Sequence, residues 1–344
     1  MFDRALVHAL HNPSSQRSLE TTAFTALFLL FLSVSLSPAQ SVQAELAQIQ
    51  KSGGYRLVAM RDNKVSTVSF ADGSLIESKP LMEKGTAMYG TVSPDGKKVA
   101  MTVCQDPGLT HPQPNVTACP SGFALAIVGT DGTGLREDPE IAGSGWMSCW
   151  SHDMSKLVLI MDDRRHHAPM PASLQILDLK SGTAELIADG PDAIADAQCW
   201  SPDDKKIVYM VNKVGGIQTV RLYDTGTRTT KDIADGGHPS WSPDGNWIAF
   251  LHCPPSLQGC AYKGIRVSTG EEKAFFQAEA MSSLSWSPDS RFVAYFSGAR
   301  AAERSPSQMQ REMIRLRVRR LADSQESSFH DFFDGDVMWF SWAN

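Results

Sequence analysis

One short phrase recurs along this chain and limits its possible folds more than any other feature. It reads Val92-Ser93-Pro94-Asp95-Gly96, Trp150-Ser151-His152-Asp153, Trp200-Ser201-Pro202-Asp203, Trp241-Ser242-Pro243-Asp244-Gly245 and Trp286-Ser287-Pro288-Asp289. The serines stand at 93, 151, 201, 242 and 287, so the steps are 58, 50, 41 and 45 residues. A period of this size marks a propeller or a solenoid, in which each unit buries its apolar face on its neighbour. Within the phrase, Pro presets φ near −65°, Asp bonds its own backbone, and Gly accepts left-handed geometry. The phrase is therefore a tight turn between two strands.

A short polar pair and an apolar, β-rich run follow each turn: Lys98–Val103, Lys156–Met161, Lys206–Val211, Trp247–Leu251 and Phe292–Phe296. Runs without alternation suit strands buried on both faces. A third strand then leads to a second Gly-bearing turn, as in Ala124–Val128 before Thr130-Asp131-Gly132 and Gln218–Tyr223 before Thr225-Gly226. A short fourth strand such as Ala184–Ala188 completes the unit. Four antiparallel strands per repeat make a propeller blade.

The two ends of the array set the blade count. Residues 55–79 hold a second, third and fourth strand with no first strand ahead of them, while the chain ends on Gly335–Asn344, which stops where the next turn would begin. The expected fold is all-β: a six-bladed β-propeller with four antiparallel strands per blade. The C-terminal strand completes blade one and closes the ring, which leaves no open edge.

These residues carry a family resemblance. The stretch Trp241-Ser242-Pro243-Asp244-Gly245-Asn246-Trp247-Ile248-Ala249-Phe250 closely resembles the TolB-type, WD40-like (PD40) β-propeller repeat, and the resemblance runs over roughly residues 54–344. It implies a fold and not a function, because the motif is a structural turn. TolB-type proteins carry a sizeable α/β domain ahead of the propeller, which the residues between 45 and 53 are too few to supply, so the Tol–Pal role is not carried over.

Ahead of the repeat lies a different kind of sequence. Residues 1–22 are polar, an apolar run extends from Ala23 to Leu36, and small residues follow at Ser37-Pro38-Ala39 and Val42-Gln43-Ala44. The run is shorter than the roughly 20 residues needed to span a bilayer. It reads as a secretory signal over 1–44 with cleavage near Ala39 or Ala44, an uncleaved anchor being the alternative. Residues 45–53 read as a short linker. The expected location is periplasmic or secreted, with no membrane span after cleavage. Net charge is −6, from 32 basic and 38 acidic residues, and the absence of a basic excess argues against nucleic acid as a partner.

Blade geometry sorts the connections onto two rims. The Ser-Pro-Asp turns and the third-to-fourth turns share one rim, and all are short. The other rim receives the long connections at Gln105–Gly122, Asp162–Ala172, His252–Lys263 and Ser297–Glu312. Long loops on a rigid scaffold are where binding residues concentrate. Cys104 and Cys119 bracket the first of these and Cys253 and Cys260 the third, so two local disulfides are expected in an exported chain. Cys149 and Cys199 precede Trp150 and Trp200 on adjacent inner strands. Buried free thiols are expected there, with a bridge between blades as the alternative.

Catalytic chemistry is sparse. Ser151-His152-Asp153 holds three triad residue types but aligns with the repeat turn, and sequence neighbours cannot form the relay geometry. No G-x-S-x-G elbow is present. His166 and His167, next to Asp162-Asp163, stand in the blade-three loop, while Asp196 and His238 sit just before inner strands near the channel mouth. Arg315, Arg317 and Arg319 alternate with apolar residues and so share a strand face. His166, His167, Asp196, His238, Arg315 and Arg317 are the candidate partner-binding residues. No catalytic residue, metal ligand or cofactor is assigned. The expectation is an exported, monomeric, non-catalytic scaffold that binds a protein or cell-envelope partner through the long-loop rim. The alternative is a lyase or hydrolase acting on a sugar or polyanion at the channel mouth, similar in outline to propeller enzymes.

Overall fold

Each repeat phrase folds into the same hydrogen-bonded turn, and the strands follow from it. The computed structural model describes residues 38–52, 56–61, 64–71, 74–77, 79–82, 86–104, 123–138, 144–162, 173–189, 193–213, 215–254, 259–278, 284–297, 315–329 and 337–343. In all five turns the serine hydroxyl donates to the aspartate two residues on, at 2.5–2.7 Å. The same oxygen accepts the N–H five residues on, at 2.9 Å in each case. The serines are buried, so these bonds satisfy groups that water does not reach.

The residue after the aspartate is left-handed in every turn. Gly96 and Gly245 take that position with φ of 69° and 71°, and Met154, Asp204 and Ser290 take it at 59°, 56° and 58°. Two of the non-glycine residues have a second use. Asp204 of blade four accepts the backbone N–H of His152 at 2.7 Å and of Asp153 at 3.0 Å in blade three. Ser290 of blade six likewise accepts the N–H of Asp244 in blade five. Two pairs of neighbouring turns thus clasp one another, blades three with four and five with six.

Asp153 is acidic for the same local reason. The Ser151 hydroxyl, followed by the Ser155 N–H and hydroxyl, holds the Asp153 carboxyl down to about 2. A depressed folded-state value stabilises the native state above the ordinary carboxylate range near pH 4, and that contribution is lost as pH falls toward 2. Ser151→Ala is therefore expected to raise the Asp153 titration midpoint, read by NMR, and to move acid unfolding to higher pH.

Six four-stranded sheets result, each with its strands in antiparallel order. Blade two is β4 (Thr86–Val92), β5 (Lys98–Cys104), β6 (Phe123–Gly129) and β7 (Arg136–Asp138). Blade three is β8 (Ser144–Trp150), β9 (Lys156–Asp162), β10 (Ser173–Asp178) and β11 (Ala184–Ala188). Blade four is β12 (Ala193–Trp200), β13 (Lys206–Asn212), β14 (Gln218–Asp224) and β15 (Thr229–Asp235). Blade five is β16 (Gly237–Trp241), β17 (Trp247–His252), β18 (Cys260–Arg266) and β19 (Glu272–Ala278). Blade six is β20 (Leu284–Trp286), β21 (Phe292–Ser297), β22 (Arg315–Arg320) and β23 (Glu326–Phe329). Blade one joins β24 (Val337–Ala343) to β1 (Arg56–Arg61), β2 (Lys64–Ala71) and β3 (Ser74–Glu77). The C-terminal strand is the inner strand of the first blade, paired antiparallel with Leu57 opposite Trp342.

The apolar runs divide their side chains between two interblade cores. In β17, Ile248 and Phe250 face blade four while Ala249 and Leu251 face blade six. In β21, Phe292 and Ala294 face blade one while Val293 and Tyr295 face blade five. Strands buried on both faces read as continuous apolar sequence for this reason. The repeat tryptophans sit between inner strands. Trp150 donates its indole N–H to the Thr91 carbonyl of blade two, and Trp342 to the Ser285 carbonyl of blade six. The indole N–H groups of Trp200, Trp241 and Trp286 are buried without an acceptor, so packing alone holds those rings.

One described helix lies outside the ring, α1 (Pro38–Lys51). The segment expected as a linker is thus helical through Lys51. Val42, Leu46 and Ile49 pack into the core shared by blades six and one. No helix among the described residues is long and apolar enough to cross a membrane.

Candidate functional site

Five of the six inner strands carry an extra residue near the end that faces the loop-bearing rim. In β4 the register breaks between Ala87 and Tyr89, in β8 between Gly145 and Ser148, and in β12 between Ile194 and Asp196. The break in β16 falls between Gly237 and Ser240, and β24 breaks opposite Met60 and Arg61. Each is a bulge, with one more residue on the inner strand than on its partner. Bulges twist a strand and re-aim its side chains, and they gather at barrel rims and near active sites. Here they lie near the first residues of five of the six inner strands; β20 pairs without a break.

Two sequence candidates fall on these bulges. Asp196 resumes pairing opposite Met210, directly after the break in β12. His238 lies inside the β16 break with φ of 49° and a half-buried side chain that is not free of partners. A left-handed non-glycine residue costs roughly 1–2 kcal/mol and persists only where its surroundings require it. The requirement is visible next door. A Cβ on Gly236 would lie 2.7 Å from the Leu251 carbonyl and 2.6 Å from the Phe250 ring. One on Gly237 would lie 2.6 Å from the Met210 sulfur. Gly236 is crowded by the β17 backbone of its own blade and Gly237 by blade-four side chains, and His238 absorbs the resulting turn.

The other candidates divide. His166 and His167 lie outside the described residues. Arg315 is on β22 opposite Ser297. Arg317 donates to Glu326 Oε1 at 2.6 Å, and Arg319 donates to Glu326 Oε2 at 3.2 Å. The Tyr295 hydroxyl donates to the same carboxylate at 2.5 Å. Burial and that carboxylate push the Tyr295 hydroxyl well above the usual phenol range, so it stays a donor. Arg319 also lies 4.9 Å from the Phe276 ring centroid in blade five. The alternation seen in the sequence is real, and within blade six it serves an internal charge network. Sequence reading missed Glu326 because nothing local marks the partner of an arginine stripe.

Ser151-His152-Asp153 behaves as a turn. Ser151 donates to Asp153, and the His152 ring approaches Asp204 of the next blade at 3.3 Å. Among the described residues no group of three or more His, Cys, Asp or Glu could hold a metal ion.

Cys253 and Cys260 form a disulfide at the base of the β17–β18 connection. The short ring it closes is worth about 2–3 kcal/mol in the loop-entropy picture. Replacing both cysteines with serine is expected to lower stability by about that amount in denaturant titrations, with the largest gain in hydrogen exchange at the ends of β17 and β18. Cys104 is disulfide-bonded as well, while Cys119 lies outside the described residues. One expectation is corrected: Cys149 is not a free thiol but disulfide-bonded. Its strand β8 lies against the inner strands of both neighbouring blades, β4 and β12.

No family model matches the chain. Solved structures do share its fold. TolB from Acinetobacter baumannii superposes with a TM-score of 0.59 at 16% identity, over 84% of this chain and 66% of that one. In fold, the chain is a TolB-like propeller. It spans about two thirds of that protein. A propeller in a nidogen–laminin complex matches with a TM-score of 0.59 at 8% identity, covering 85% of this chain and 99% of that one. Oligogalacturonate lyase from Vibrio parahaemolyticus matches at 0.51 and 15% identity, covering 82% and 81%. A protein of a nidogen–laminin complex and a lyase thus share this scaffold, as a function-neutral fold allows.

Proposed function

We propose that this TolB-like propeller is an exported, non-catalytic scaffold that binds a protein or cell-envelope partner through its loop-bearing rim. The observation that carries the reading is the contrast between the rims. On one, hydrogen-bonded turns clasp neighbouring blades and leave little free backbone. On the other, strands end in the connections 105–122, 163–172 and 298–314, at the end of the ring where five inner strands are bulged. A rigid base and variable loops are the usual division in binding scaffolds. The likeness to TolB and to the nidogen–laminin propeller supports a macromolecular partner, and the cysteine usage supports an oxidising compartment.

The test replaces 163–172 and 298–314 with short glycine-bearing turns and compares capture of envelope proteins by the two immobilised propellers. Loss of a partner that the parent retains supports the reading. Identical capture by both propellers would count against it.

A second reading is an enzyme acting on an acidic sugar at the channel mouth. It is favoured by the left-handed His238 on a bulged inner strand and by the lyase likeness. Incubation with oligogalacturonate, followed by ultraviolet absorbance of an unsaturated product, separates the two. Product formation that is lost in His238→Ala selects the enzyme; its absence in the parent protein selects the scaffold.

A further inference from the structure

We infer that processing of the leader occurs at the Ala39–Gln40 bond and not after Ala44, because the residues between them belong to the folded propeller. The inference rests on the export reading above. Two small-residue sites compete in the sequence, Ser37-Pro38-Ala39 and Val42-Gln43-Ala44, and recognition of small residues alone does not separate them.

The packing of α1 separates them. The helix lies in the groove between blades six and one, touching β2, β22 and β23. This is the seam where the C-terminal strand closes the ring. Val42 and Leu46 are both 0% exposed there, in a cluster with Leu57, Phe70, Phe292 and Phe329. Glu45 joins the helix to the turn rim of blade six. One carboxylate oxygen pairs with Arg291, and the other accepts from Arg320 Nη1 at 2.6 Å. At the far end, Gln50 Oε1 accepts the N–H of Phe70 at 2.6 Å. Ala44 itself is exposed.

Cleavage after Ala44 would undo this at three points. It removes Val42 and leaves an apolar gap in the seam. It makes Glu45 the first residue, so a new ammonium, largely charged at neutral pH, arrives beside Arg291 and Arg320. It also shortens the helix to residues 45–51, under two turns, a length that does not hold in water. Hydrolysis at Ala39–Gln40 spares all three contacts. Water's oxygen ends on the Ala39 carboxylate, the Gln40 nitrogen leaves as the new amino terminus, and the reaction is that of a membrane-bound signal peptidase on the translocating chain. The folded protein then keeps residues 40–51 as a wedge across its own seam.

Mass spectrometry of the N-terminal peptide, on protein recovered from the extracytoplasmic fraction, tests the assignment. The expected first residue is Gln40, with or without cyclisation of the terminal glutamine. A chain beginning at Glu45 overturns the inference and leaves export standing. A chain still beginning at Met1 in that fraction overturns the inference in favour of the uncleaved anchor and leaves export standing, whereas absence of the protein from that fraction overturns both. Two variants add an independent check. Ala39→Leu is expected to lose processing at this bond. Ala44→Leu, at an exposed helix position, is expected to leave the amino terminus unchanged, and loss of processing there would overturn the assignment.

Discussion

Deleting residues 337–343 is expected to abolish the cooperative unfolding transition of the whole ring. β24 supplies the inner strand of blade one, and without it β1 presents an open edge while blade six loses its neighbour at the axis. The point variant Trp342→Ala reports on the same seam with the strand retained. Trp342 is 6% exposed, stacks with Phe70 at a centroid distance of 6.1 Å, and donates its indole N–H to Ser285 in blade six. Truncating a buried tryptophan costs about 3–5 kcal/mol, which corresponds to a fall of roughly 10 °C in Tm for a domain of this size. Calorimetry reads both effects. A Trp342→Ala Tm within a degree or two of the parent would show that closure does not depend on this residue.

The second large effect is expected at Gly236. It holds φ of 156°, its N–H donates to the Gln218 carbonyl of blade four, and an added Cβ would meet the Leu251 carbonyl at 2.7 Å. A backbone oxygen cannot move aside as a side-chain tip can, so Gly236→Ala combines dihedral strain with overpacking, together roughly 3 kcal/mol. Its consequence is also local. The substitution forces the start of β16 away from its own blade's β17 and shifts the neighbouring His238. If the enzyme reading holds, activity falls more steeply than stability; under the scaffold reading, partner capture through the long loops is retained in the folded fraction. Glycine at Met154 is the opposite case, because that position is exposed and left-handed: relief of roughly 1–2 kcal/mol of strain outweighs the added chain entropy of glycine, and Met154→Gly is expected to stabilise by about 0.5–1 kcal/mol in a denaturant titration.

Much of the architecture was legible because propeller blades are built from local signals. The Ser-Pro-Asp phrase defines its turn with bonds that span at most five residues, and the runs predicted from Lys98, Lys156, Lys206, Trp247 and Phe292 begin at those residues in the structure. The seam was legible too, since a missing first strand and a surplus last one point to each other. Three features were not. Helix α1 has Val42, Leu46 and Ile49 on one side, but only the groove between blades six and one makes that side apolar enough to order the chain. The Arg317–Glu326–Tyr295 network joins strands whose pairing is settled by the blade. The state of Cys149 depended on which strands of the neighbouring blades lie against β8.

The sequence by itself determined the fold class, the blade count, the turn chemistry and the two-rim distribution of loops, because each rests on contacts within one repeat or on the period of the repeats. Only the tertiary structure decided which residues meet across blades: the wedge of α1 at the seam, the turn-to-turn clasps of Asp204 and Ser290, the bulged inner strands and the strained His238. Those depend on the distance and tilt between neighbouring sheets, which no single repeat encodes.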